Sequence, residues 1–273
     1  MRLLHTTLCA AMTAAAIALG SCSNIDEDER LIEVDIPQAK RAVLIEDYTG
    51  QWCPNCPLAA EEIESLTSTY GSDKVIAVAI HCGPQGFHVN AGTDDLPGLM
   101  TDLGQSYYNH FQIEYQPQGL VDRGGKLSYT DWAAKVRSEL QQTALLNINV
   151  TNAYDKDSRK LNIKVDLESV KGIDKVSGNV QVWLVEDNIT SIQSMPDGSY
   201  NMSYTHQHVL RDAVNGTWGE AYTLTEDAKA EYDYSYDIPA NWKPANLSVV
   251  AFAYDGGGVQ QVVKQPVISS QSK

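Results

Sequence analysis

The chain of 273 residues is short of cysteine, of positive charge and of long apolar runs, and each shortage removes a class of protein. Five cysteines are too few for a disulfide scaffold, which wants a larger, even set. Lysine and arginine number 20 against 35 acids, a formal charge of −15. That balance makes nucleic acid and bare anionic headgroups poor partners. Beyond the N-terminal segment no apolar run has the ~20-residue length of a membrane-spanning helix, so the body of the chain reads as soluble.

What is present begins with an export signal. Met1, Arg2 and His5 form a weakly basic start, and Leu8 to Leu19 is an alanine-rich apolar run of h-region length. It ends in Leu19-Gly20-Ser21-Cys22, small residues before a cysteine that resemble a bacterial lipobox. The resemblance implies a signal peptide over residues 1–21 and lipidation at Cys22. Several acyl chains, at ~0.8 kcal/mol per buried methylene, anchor stably where one is marginal. Residues 22–40, with the acids Asp26 to Glu29, have no helical or strand period and read as an acidic tether. Loss of residues 1–21 removes Arg2 and no acid, taking the charge to −16. Cys9 leaves with the signal and Cys22 takes lipid, so Cys53, Cys56 and Cys82 remain. One close pair and one odd thiol point to redox chemistry.

Residues 41–144 read as an α/β domain. Arg41 to Gly50 is a strand of the buried parallel kind that runs into Trp52-Cys53-Pro54-Asn55-Cys56. Ala59, Ile63, Leu66 and Tyr70 then fall at helical spacing up to Gly71, and Lys74 to His81 is a second buried strand. A helix around Leu99 to His110, two short strands about Gly124-Gly125 and a helix over Asp131 to Gln142 complete the order. Strand, helix, strand, helix, hairpin, helix, with Cys-x-x-Cys where strand becomes helix, resembles the thioredoxin fold. The resemblance covers about Arg41 to Thr143. It implies that Asp47 is the buried acid beneath the second cysteine and that Pro117 is the cis-proline.

At a helix start Cys53 faces unpaired N–H groups and the positive end of the dipole, which lower a thiol pKa and make Cys53 the nucleophile. Cys56 resolves the mixed disulfide from inside. A buried Asp47 accepts its proton, with Glu46 on the opposite strand face as competitor. Trp52 shields the site, and the backbone of Gln116 offers an extended substrate a strand to pair with. Cys82 follows the second strand and is expected on the same rim, either as a third active thiol or as a buried inert one. Cys53, Cys56, Cys82 and His81 make a nominal Cys₃His set. However, a second Cys-x-x-Cys is missing and proline sits inside the knuckle, so neither metal nor cofactor is expected. His206-Gln207-His208 puts two imidazoles on one strand face, an alternation that a solvated face explains equally well.

From residue 145 the period changes to two. Leu146, Ile148 and Val150, then Leu161, Ile163, Val165 and Leu167, alternate with polar residues. Six or seven such strands suggest a β-sandwich, immunoglobulin-like in kind, over 145–273. The tyrosines of Glu231 to Trp242 are either a binding edge or ordinary sheet packing. The lipobox, "TGQWCPNCP", "PQGLVDR" and "PDGSYNMSYTHQHVLRD" together resemble the outer membrane protein twenty-eight family of Bacteroidetes lipoproteins. That resemblance implies an outer-membrane location and a two-domain layout, thioredoxin-like and then β. The residues themselves point to a thiol–disulfide oxidoreductase acting on cysteines of other envelope proteins. The rival reading is a surface binding lipoprotein in which the Cys53–Cys56 disulfide is only structural.

Overall fold

The computed structural model describes residues 40–268. The expected signal peptide, Cys22 and the tether up to residue 39 lie outside the described residues. No described helix is long and apolar enough to cross a membrane.

The N-terminal half runs β1 (Val43–Thr49), α1 (Cys56–Tyr70), β2 (Val75–His81), α2 (Asp102–His110), β3 (Gln118–Val121), β4 (Lys126–Ser128) and α3 (Trp132–Glu139). All seven residues of β1 are buried, because it has a strand on either side and a packed layer on each face. It pairs parallel with β2 and antiparallel with β3. Val43 and Ile45 pack with Ala59, Ile63 and Leu66 of α1 and Trp132 and Val136 of α3. Leu44 and Tyr48, pointing the other way, pack with Tyr107 of α2. Helix α1 stops at Gly71, whose left-handed φ of 98° no side chain readily adopts and whose N–H returns to the Thr67 carbonyl.

Ten strands follow: β5 (Leu146–Asp155), β6 (Lys160–Ser169), β7 (Lys175–Glu186), β8 (Ile189–Ser194), β9 (Tyr200–His206), β10 (Val209–Ala213), β11 (Glu220–Thr225), β12 (Lys229–Asp237), β13 (Leu247–Asp255) and β14 (Gly258–Pro266). Six or seven were expected, and the short polar strands account for the difference. They are held by pairing rather than by an apolar period: of the seven residues of β9 five are exposed. Strands β12, β6 and β5 form one sheet, whose inner face packs Leu161, Ile163, Val165 and Leu167 against Val180, Val182, Val249 and Ala251 of β7 and β13. Tyr232, Tyr234 and Tyr236 of β12 lie half-buried against this core, so the tyrosine run is sheet packing.

The second half does not keep a sheet to itself. A nine-stranded sheet runs β14-β13-β7-β10-β2-β1-β3-β4, with β11 on the early part of β7. Strand β10 joins β2 in parallel through Val209 opposite Ala79, and the Ala79 N–H donates to the His208 carbonyl at 2.7 Å. The chain still passes from helix to strands near Ala144, but the sheet crosses that point. β8 and β9 form a separate hairpin that lies over the end of β1.

Candidate functional site

The site grows from the exit of β1. Gly50 passes so close to Gln85 that a Cβ would stand 2.3 Å from the Gln85 carbonyl oxygen, and only glycine fits. The Trp52 N–H donates to the same carbonyl at 2.9 Å, fixing the turn that delivers the cysteines. Cys53 and Cys56 are joined in a disulfide, with Cα atoms 5.4 Å apart. The helix starts at Cys56, later than a helix start at Cys53 would have it. Pro54 and Asn55 are exposed turn residues, Asn55 is the N-cap without a side-chain bond, and Pro57 lies in the first helical turn. The dipole therefore ends at Cys56, and Cys53 stands three residues ahead of it.

Cys53 is not the solvent-facing sulfur expected of the first cysteine. It is 1% exposed and Cys56 3%. The cover comes from the β8–β9 hairpin, some 140 residues away in sequence. Gln193 Nε2 donates to the Cys53 carbonyl at 2.8 Å and to the Gly50 carbonyl at 3.3 Å, and the Ser194 N–H donates to the Gln51 carbonyl at 2.8 Å. Gln51, fully buried, donates to Ser191 Oγ at 2.9 Å and to the Pro97 carbonyl at 3.1 Å, and accepts from the Leu99 N–H at 2.8 Å. One side chain thus ties the hairpin and the segment between β2 and α2 to the cysteine turn. Outside them Trp52 is half-buried, its ring 5.3 Å from Phe87 and 6.3 Å from Tyr200. Sequence reading missed Gln51 and Gln193, since a glutamine beside a polar loop carries no local signal.

Removing Gln193 tests how firmly the hairpin is held. Gln193→Ala takes the hairpin's donor from two buried carbonyls, which keep only the backbone N–H groups of Cys53 and Cys56, and should cost about 1–1.5 kcal/mol of hairpin attachment. Reduction of the Cys53–Cys56 disulfide by a protein dithiol, too large for the cavity at Cys56, is expected to quicken about tenfold. An unchanged rate, read by alkylation and mass shift, would mean that the hairpin does not limit access.

In one cavity wall with Cys56 lies Asp47, 3% exposed, with Oδ1 lacking any partner. Burial raises its carboxyl to about 7, so it changes protonation near neutral pH. Glu46 points to the opposite face and is bound bidentate by Arg123, with Nη2 3.0 Å from Oε1. That engagement takes it out of the contest for the proton. His81 and His206 stand edge to face at 5.2 Å. Burial, then His206 and Arg211, push His81 well down, and burial takes His206 to about 4, so both are neutral at pH 7. His81 Nδ1 is buried and unpartnered. His208 lines the same cavity, with its Nδ1 2.9 Å from Asp187. Asp47, Cys56, His81 and His206 share the wall of a cavity of about 430 Å³ between α1 and β9, and Cys53 is not in that wall.

The peptide bond between Gln116 and Pro117 is cis. The Gln116 side chain turns inward, donating to the Thr49 carbonyl at 2.5 Å and the Cys82 carbonyl at 3.0 Å. Cys82 is a buried free thiol on the Leu44–Tyr48 face of the sheet, and burial, then the Asp47 charge, push it well up. A thiol so placed is a poor nucleophile. Among the described residues no group of three or more histidines, cysteines and acids could hold a metal ion.

A family model described as outer membrane protein Omp28 matches residues 104–271. The chain belongs to that family. Membership places it at the outer membrane. The matched segment contains the β8–β9 hairpin and Pro117 but neither Cys53 nor Cys56, so the disulfide lies outside it. A domain of the outer membrane lipoprotein Omp28 from Porphyromonas gingivalis is 30% identical, covering 45% of this chain and 88% of that one, with a TM-score of 0.33. HBP35 of Porphyromonas gingivalis has a similar fold, with a TM-score of 0.65 at 15% identity over 86% of this chain and 78% of that one. No curated protein sequence matches the chain.

Proposed function

We propose that this Omp28-family chain is a lipoprotein, anchored through Cys22, whose thioredoxin-like half performs thiol–disulfide exchange on cysteines of other envelope proteins. The observation that carries the reading is the Cys53–Cys56 disulfide at the junction of β1 and α1, with Cys56 sharing a cavity wall with a buried Asp47 whose Oδ1 has no partner. The strand order β2-β1-β3-β4 and the cis Gln116–Pro117 bond before β3 support the thioredoxin-like assignment.

In the reduced form the Cys53 thiolate attacks one sulfur of a substrate disulfide, whose S–S bond breaks and whose second sulfur leaves as a thiolate. Cys56 gives its proton to ionised Asp47, and its thiolate attacks Cys53 Sγ. The substrate leaves as a dithiol and the Cys53–Cys56 bond is restored; the reverse sequence oxidises a dithiol. Trp52 flanks the approach, and the main chain of Gln116, without a partner among the described residues, is the strand edge for an extended substrate.

The burial of both sulfurs favours a second reading, a binding lipoprotein whose disulfide only staples the β1–α1 turn. Turnover separates the two. The full chain in detergent is given a disulfide-bonded protein in a thiol buffer, with Cys53→Ser as control. Turnover that falls to background in the variant is expected, whereas equal rates would leave the structural staple.

A further inference from the structure

Resting on the reading of the disulfide as an exchange centre, we propose that the cavity between α1 and β9 admits a small amine-bearing thiol, which resets the centre from the Cys56 side. Two approaches to the disulfide differ in kind. Over Cys53 lies the hairpin, pinned by Gln193, and a protein thiol reaches that sulfur only by displacing it. Between that hairpin and α1, with Gln193 and Tyr204 in its wall, the cavity already reaches Cys56. Its volume of about 430 Å³ suits a small molecule and not the surface of a folded protein.

The wall says what kind of molecule. It carries Asp47, Glu61 and Glu64 and neither lysine nor arginine. Its His81 and His206 imidazoles are neutral at pH 7 and do not offset the acids. Its third imidazole, His208, is engaged by Asp187, with Nδ1 2.9 Å from Oδ1. The charge is not the only signal. Asp47 Oδ1 and His81 Nδ1, both on residues 3% exposed, have no hydrogen-bond partner. Leaving buried polar atoms unpaired costs about 1–3 kcal/mol each, and an ammonium brings N–H donors to satisfy the carboxylate. A thiol bearing a carboxylate meets like charge instead.

The step balances with two equivalents of the small thiol. The first, as thiolate, attacks Cys56 Sγ; the Cys53–Cys56 bond breaks and its electron pair leaves on Cys53 Sγ, which takes up a proton. The second thiolate attacks the small molecule's sulfur in the mixed disulfide and releases Cys56, also protonated. Two small thiols become one symmetric disulfide, and the protein disulfide becomes a dithiol.

The test needs no protein substrate. The full chain in detergent at pH 7 is reduced by cysteamine, 2-mercaptoethanol or 3-mercaptopropionate, with rates expressed per thiolate and read by alkylation and mass shift. Cysteamine is expected to exceed 3-mercaptopropionate at least tenfold. Glu61→Gln with Glu64→Gln should shrink that ratio at least threefold. Glu226→Gln with Asp227→Asn, which removes two charges from an exposed turn outside the cavity, should leave it intact. With cystamine, Cys53→Ser should take up the adduct on Cys56 faster than Cys56→Ser takes it up on Cys53. A ratio near one, an equal fall in both charge variants, or the faster adduct on Cys53 would overturn the proposal while leaving the exchange reading standing. A disulfide that resists all three thiols until the protein is unfolded would sink the exchange reading itself.

Discussion

Arg123→Ala is expected to cost the folded protein about 3–5 kcal/mol, the range for stripping one partner from a buried ion pair. The guanidinium is 5% exposed and its carboxylate partner, Glu46, 1%. Removing the arginine leaves Glu46 charged in the middle of a sheet face, away from water. Burial works against the guanidinium's charge, but Glu46 outweighs it and holds Arg123 above its ordinary value. The loss is not only electrostatic. Arg123 lies 4.2 Å from the ring centre of Tyr254 and 4.8 Å from that of Phe252, with Phe111 and Trp183 beyond. Two of these rings belong to β13 and one to β7, so the arginine, in the β3–β4 turn, ties the N-terminal strands to the C-terminal ones. Arg123→Lys keeps the charge but loses the bidentate fork, and should fall between wild type and alanine. Glu46→Ala should cost about as much as Arg123→Ala, and the double variant far less than their sum. Urea midpoints followed by tryptophan fluorescence measure all four. A loss below about 1 kcal/mol for Arg123→Ala would place the pair in solvent instead.

Asp47 is expected to make the protein less stable as pH rises from about 4 to 7. Its folded carboxyl titrates at about 7 against an ordinary 3.8, because burial penalises the charge. Between those values the folded state holds a proton that the unfolded state has lost, so stability drains with rising pH and levels off above 7. Three units at ~1.4 kcal/mol each make the full penalty about 4 kcal/mol. Asp47→Asn removes the ionisable group and keeps the shape. It should gain at least about 1 kcal/mol over wild type at pH 8 and nothing at pH 4. The same substitution should slow exchange about a hundredfold, since Cys56 loses its proton acceptor. Parallel stability curves for the two proteins from pH 4 to 8 would show that Asp47 is solvated; a flat exchange rate would show that it takes no proton.

Neighbouring residues alone settle the parts of this protein that rest on local rules. A buried strand running into Cys-x-x-Cys, a helix with apolar residues at 59, 63 and 66, and a glycine stop at 71 are written where period and turn chemistry operate. Alternation along β1 likewise separated Asp47 from Glu46 onto opposite faces. What surrounds those parts was settled only by long-range packing. The helix begins at Cys56 because two turn residues intervene, and the first cysteine is covered because Gln193 reaches it from 140 positions away. The joining of β10 to β2 sets His206 beside His81 and closes the cavity, though each residue looks like an ordinary polar strand position. Contacts of that kind depend on which of many compatible strand edges finally meet, and that choice is made by burial summed over the whole sheet rather than by any local pattern.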